Sequence, residues 1–193
     1  PGYYSVELDK YDVKTELTAS TRVGVSRYSF PAGKANLLLN LGLGLTNEHG
    51  AMLKFNSSTE IEGYRMVGAF CYNNAESAYP VYFVARISEA PENFGVWDKP
   101  ASYEGVEAQW MGYNGKTRLK EQFMREVVGD SIGAYVQYDF EKPTQVVMKI
   151  GVSYVSIANA RENLDKEVGD ATFDEVYQQT KNAWNDKLSV VEV

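Results

Sequence analysis

Two pairs of carboxylates lie close enough along the chain to share chemistry. Glu60 and Glu62 fall on one face of a strand, because strand side chains alternate. Asp9 and Asp12 flank a turn. Two carboxyl groups at a fixed separation, one protonated and one ionised, can cleave a glycosidic bond. Exposed strands and turns carry acids for solubility as well. No second feature singles out either pair, so no catalytic residue is assigned. His49, in Asn47-Glu48-His49-Gly50, has the chemistry of a general base or a metal ligand. It is the only His and has no nucleophile signature beside it, so it reads as a surface turn residue. One Cys, Cys71, and one His leave no internal disulfide and no structural zinc site, and no metal-ligating set is assigned. Leu41-Gly42-Leu43-Gly44-Leu45 starts like a dinucleotide fingerprint. Asn47 stands where the third Gly belongs, and no helix follows to cradle a phosphate. Walker A, EF-hand and Gly-x-Ser-x-Gly patterns do not occur.

Aromatic residues form the other concentration of chemistry. Phe94, Trp97, Tyr103, Trp110 and Tyr113 are gathered in one polar stretch that holds two of the three Trp residues. Rings exposed there could stack on the apolar face of a sugar, and Trp97, Trp110 and Tyr113 are the substrate-binding candidates. Rings also anchor long loops onto sheets, which is the plainer reading.

The elements that must position these residues are mostly strands. Tyr4-Val6-Leu8 and Val13-Thr15-Leu17 alternate with polar residues. Val23 to Phe30, a short buried strand at Leu37-Leu38-Leu39, Met52 to Phe55, Glu60 to Val67 and Val81 to Ile87 follow. Gln122 to Val128, Gly133 to Tyr138 and Thr144 to Tyr154 complete the set. Pro31-Ala32-Gly33-Lys34, Asn56-Ser57-Ser58, Gly129-Asp130-Ser131 and Glu141-Lys142-Pro143 supply turns. Ser88 to Lys116, rich in Gly and Pro, reads as a long loop with at most short strands. Many short strands with no helix between them predict a mainly β fold, an antiparallel β-sandwich, over 1–155.

The period changes over 156–193. Ile157, Ala160, Leu164 and Val168 recur at helical spacing, with Ser156 as N-cap and Gly169 as stop. Thr172 and Glu175 have capping-box spacing for a second helix, whose stripe is Phe173, Val176, Tyr177, Thr180, Trp184 and Leu188. Phe173, Tyr177 and Trp184 are the candidates for packing against another domain.

Composition narrows the function. The 193 residues carry a net charge of −7, with 26 acidic against 19 basic side chains and no basic cluster, which disfavours nucleic acid as a partner. No apolar run approaches the ~18 residues of a membrane span. Neither end has the look of a natural terminus, so both are expected to be cuts through a longer protein.

Several segments carry a resemblance. Pro1-Gly2-Tyr3-Tyr4-Ser5-Val6-Glu7-Leu8, Glu16 to Gly24 and Arg27-Tyr28-Ser29-Phe30-Pro31 resemble the N-terminal domain of glycoside hydrolase family 92, the bacterial exo-α-mannosidases. Glu60 to Tyr64, Val81 to Arg86 and Lys149 to Ser156 continue the likeness in order. Ala158 to Leu164, then Phe173, Trp184 and Leu188, resemble the helices leading to the family's catalytic domain. The family usually has His where this chain has Ser26, which departs from its pattern.

The resemblance implies a galactose mutarotase-like supersandwich followed by an (α/α)6 barrel in the same polypeptide. It implies calcium-dependent, inverting removal of terminal α-linked mannose, in particular α-1,2-linked mannose, from mannose-containing glycans. The family's acid, base and calcium ligands lie in the barrel, so none is carried over to this chain, and no cofactor is expected within it. A bacterial periplasmic, extracellular or cell-surface location is also implied. Residues 1–155 would then be the sandwich and 156–193 the linker helices, together shaping and supporting a site completed elsewhere. The alternatives are a free-standing carbohydrate-binding module built on Trp97, Trp110 and Tyr113, and a protein-interaction scaffold using the second helix stripe.

Overall fold

The computed structural model describes residues 1–43, 50–68, 77–99, 118–121 and 125–190. His49, Cys71, Tyr103, Trp110 and Tyr113 lie outside the described residues, as do Gly44 and Leu45 of the glycine string. The fold is mainly β, an antiparallel β-sandwich with two helices at the C-terminal end of the chain. Along the chain the strands are β1 (Tyr4–Leu8), β2 (Val13–Ala19), β3 (Val23–Phe30), β4 (Gly33–Asn40), β5 (Ala51–Ser57) and β6 (Glu60–Val67). They continue as β7 (Tyr79–Ile87), β8 (Asn93–Asp98), β9 (Arg118–Glu121), β10 (Glu126–Gly129), β11 (Ile132–Phe140) and β12 (Thr144–Ser153). Helices α1 (Ile157–Glu167) and α2 (Phe173–Leu188) follow.

The chain forms two compact units. The first comprises Pro1–Ala35, Tyr82–Ala90 and Asp139–Val193. Its strands pair antiparallel in the order β1-β2-β3-β12-β7. Alternation divides this sheet into two faces. One carries Glu16 and Thr18 from β2, Val23, Val25 and Arg27 from β3, Val147, Lys149 and Gly151 from β12, and Val84 and Arg86 from β7. Helices α1 and α2 lie on that face. Val23, Val25, Val84, Ala160, Leu164, Val168, Phe173 and Val176 bury one another there.

Both helices start and stop as their cap residues require. The Ser156 hydroxyl accepts the Asn159 N–H, and Gly169 takes a left-handed φ of 50° just past α1. Thr172 and Glu175 form a reciprocal capping box. At Gly151 α1 lies close against the sheet. A Cβ there would fall 2.4 Å from the Ala160 carbonyl oxygen and 2.7 Å from Leu164 Cβ.

The second unit comprises Asn36–Val81 and Pro91–Tyr138. It pairs β6-β5-β10 in one group and β4-β11-β8-β9 in another. The groups meet through apolar side chains, with the Phe55 and Phe94 rings 4.9 Å apart between centroids. Leu53, Ile61, Val96 and Ile132 are fully buried beside them.

Two sequence expectations need correction. In β2 the buried side chains are Val13, Glu16 and Thr18, while Leu17 is exposed. The helices cover the polar face of that strand, and Glu16 is buried because partners neutralise it. The leucine run in β4 is not a buried strand, since Leu38 is 69% exposed and only its neighbours turn inward. Within Ser88–Lys116, where at most short strands are expected, Asn93–Asp98 is a six-residue strand, with Gly95 and Val96 paired with Tyr135 and Ala134 of β11. Residues 100–116 of that segment lie outside the described residues.

Candidate functional site

The helix-bearing face of the first unit holds its densest polar chemistry. The β2–β3 hairpin register sets Glu16 directly opposite Arg27. Arg27 Nε donates to Glu16 Oε2 at 2.8 Å and Nη2 donates to Oε1 at 3.0 Å, a two-pronged pairing that matches guanidinium to carboxylate. Tyr3 Oη donates to Glu16 Oε1 at 2.7 Å. The third prong, Arg27 Nη1, reaches both carboxylate oxygens of Asp174 in the first turn of α2, each at 3.0 Å. The guanidinium also sits over the Phe173 ring, 4.3 Å from its centroid. Tyr3 closes the cluster against Tyr177, with centroids 4.9 Å apart.

The electrostatics follow from this geometry. Glu16 is 5% exposed, yet hydrogen bonding from Arg27 outweighs its burial and brings its pKa down from 4.5 to about 2. The same bond raises the Arg27 pKa. A carboxyl so strongly held as carboxylate cannot serve as a general acid near neutral pH. Burial works against the Glu167 carboxylate, but hydrogen bonds from Ser20 and Arg22 prevail and lower its pKa. Burial lowers the pKa of Lys149, whose ammonium donates to the Gly169 carbonyl at 2.8 Å.

Two grooves adjoin these contacts. One, of about 470 Å³, is lined by Arg27, Arg86, Gln145, Lys149, Thr172 and Asp174 among others. The other, of about 460 Å³, runs between the β2–β3 turn and α2, with Ser20, Thr21, Gln179, Trp184 and Lys187 in its wall. Among the described residues no group of three or more His, Cys, Asp or Glu could hold a metal ion. Glu16 and Asp174 already bind Arg27, and Glu167 binds Arg22. The face can fix helices and accept hydrogen-bonding ligands.

The residues singled out from sequence fall in different places. Trp97 is half-buried in β8, and a Cβ on Gly133 would come within 2.5 Å of its ring, so the indole packs on the β11 backbone. Trp110 and Tyr113 lie outside the described residues. Phe173 is buried inside the first unit, Tyr177 is partly buried against Tyr3, and Trp184 is 47% exposed farther along α2. Glu60 and Glu62 do share a neighbour, both accepting from Asn56 Nδ2. The Tyr3–Glu16–Arg27–Asp174 cluster has no signature in the local sequence. Counting outward from a hairpin turn at Thr21-Arg22 would have paired Glu16 with Arg27. No local signal announces Asp174.

Antiparallel sheets carrying a C-terminal helical pair define the fold class, and the family follows from comparison with known domains. Residues 1–153 match the model of the glycosyl hydrolase family 92 N-terminal domain, and 159–193 match that of the family 92 catalytic domain. The chain belongs to glycosyl hydrolase family 92. Among solved structures it is similar to the family GH92 α-mannosidase BT3965 from Bacteroides thetaiotaomicron, at 26% identity and a TM-score of 0.77, covering 98% of this chain and 24% of that one. The family GH92 inverting mannosidase BT2199 from Bacteroides thetaiotaomicron VPI-5482 shares the fold, at 22% identity and a TM-score of 0.75, covering 100% of this chain and 23% of that one. The GH92 glycosyl hydrolase ccman5 is 25% identical with a TM-score of 0.75, covering 98% of this chain and 24% of that one. The chain thus spans about a quarter of the length of these solved relatives. No curated protein sequence matches.

Proposed function

We propose that this chain is the N-terminal sandwich and leading helices of a calcium-dependent, inverting exo-α-mannosidase that removes α-1,2-linked mannose from glycans in the periplasm or at the cell surface of a bacterium. The observation that carries this reading is the ordered pair of family matches, N-terminal domain to residue 153 and catalytic domain from residue 159. The sandwich supports and shapes a sugar site whose acid, base and calcium ligands come from the catalytic barrel. Its own contribution is mechanical, since the Tyr3–Glu16–Arg27–Asp174 cluster ties the first turn of α2 to the sheet. Fixing an element that leads into a catalytic domain matters because small displacements of reacting groups cost large factors in rate.

The test uses the polypeptide that includes the whole catalytic domain. It is incubated with α-1,2-mannobiose, with calcium or with a chelator, and the first-formed mannose anomer is read by proton NMR. β-Mannose released only with calcium is the expected result. α-Mannose, or release that ignores the chelator, would count against the reading.

A further inference from the structure

The two family matches meet inside the first unit, and the described ion pairs across the seam all have the same polarity. Arg22, Arg27, Arg86 and Lys149 belong to the N-terminal match, while Asp165, Glu167, Gly169 and Asp174 belong to the helical match. Four described contacts across the seam run from a strand-side cation to a helix-side acceptor. They are Arg22 to Glu167 at 2.5 Å, Arg27 to Asp174 at 3.0 Å, Arg86 to Asp165 at 2.5 Å, and Lys149 to the Gly169 carbonyl at 2.8 Å. Asp170 and Glu175 add negative charge near Lys149.

Helix chemistry alone does not explain this pattern. Asp174 and Glu175 sit where the α2 dipole favours acids. Asp165 and Glu167 occupy the last turn of α1, where the dipole favours cations instead. Those two acids are placed for the sheet and against the preference of their own helix. The apolar cluster beneath the helices supplies adhesion, but burial of Val, Leu and Phe has no direction. Partly exposed ion pairs add little stability, yet complementary charge suppresses wrong registers.

We infer that Arg22, Arg27, Arg86 and Lys149 form a charge-sorted recognition surface that sets the orientation of the α1–α2 hairpin, and that they are positioning residues for the leading segment of the catalytic-domain match. The inference rests on the family matches and the seam geometry, and is independent of the proposed mannosidase activity.

The Arg86–Asp165 pair suits the test because both side chains are partly exposed, so reversal should be tolerated. Amide hydrogen exchange by mass spectrometry is followed on the 193-residue chain carrying Arg86→Asp, Asp165→Arg, or both. Each single reversal is expected to speed exchange in α1 and α2 about two- to fivefold, with β3 and β12 unchanged. The double reversal should return to within about twofold of the parent, because the pairing is restored with opposite sense. Raising NaCl from about 0.1 M to about 1 M should loosen the hairpin of the unaltered chain in the same range. Single reversals that exchange like the parent, or a double reversal no better than the singles, would overturn the inference. If a reversal prevents folding, Arg86→Gln and the salt series decide, and a hairpin insensitive to both would overturn it equally.

Discussion

Glu16 and Arg27 face each other across β2 and β3, joined by two hydrogen bonds of 2.8 and 3.0 Å, and the same guanidinium holds Asp174 of α2. The two carboxylates differ sharply in surroundings. The Glu16 side chain is 6% exposed and that of Asp174 is 73% exposed. Removing one member of a buried pair strands the other's charge, whereas an exposed pair is already well served by water. Glu16→Gln should therefore cost about 2–3 kcal/mol of unfolding free energy. Asp174→Asn should cost under about 1 kcal/mol. Urea denaturation of the two variants against the parent checks the order and the gap.

The pH dependence follows from the same pair. The folded state holds the Glu16 pKa at about 2, below its ordinary 4.5, so the unfolded chain takes up its proton first as pH falls. The stability contributed is complete above pH 4.5 and is lost as pH falls through about 2. A shift of this size corresponds to about 3 kcal/mol across the window. Thermal unfolding followed from about pH 6, above that window, down to about pH 2 should show a steeper acid loss in the parent than in Glu16→Gln. Parallel curves would remove Glu16 as the cause.

Gly151 makes a further prediction, about packing. A methyl group there meets the Ala160 carbonyl and Leu164 Cβ at distances no side chain tolerates without movement. Gly151→Ala should push α1 off the sheet and cost about 1–3 kcal/mol. Gly24 is the control, since a Cβ there has nothing within 4 Å. Gly24→Ala should leave the melting temperature nearly unchanged, within about 0.5 kcal/mol of the parent. Equal effects at the two glycines would mean that close approach of α1 is not what Gly151 permits.

The parts of this fold that are legible in the sequence are those decided locally. Ser156, Gly169, Thr172 and Glu175 act within one helical turn, and each is found doing what its type and spacing imply. What was illegible depends on distant residues. Apolar alternation assigns Leu17 to the inside of β2, but α2, whose Asp174 lies 147 residues beyond Arg27, covers the other face, where Glu16 is buried instead. The Gly-rich segment containing Asn93–Asp98 looks like a loop until β11 supplies its hydrogen-bonding partner. Trp97 is singled out by residue type alone, and only the fold shows that its ring lies against Gly133. Glu16 is a carboxylate in a cluster of aromatics, which on type alone would invite a catalytic role. Only the guanidinium opposite it shows that its proton is out of reach.

The division of labour between this chain and the catalytic domain is tested most directly by mannose release. The 193-residue chain and the polypeptide containing the whole catalytic domain are incubated separately with α-1,2-mannobiose in calcium, and free mannose is measured. The longer polypeptide should release mannose and the 193-residue chain should release none. Calcium-dependent release by the 193-residue chain alone would contradict a supporting role for it, and no release by the longer polypeptide would contradict the mannosidase reading itself.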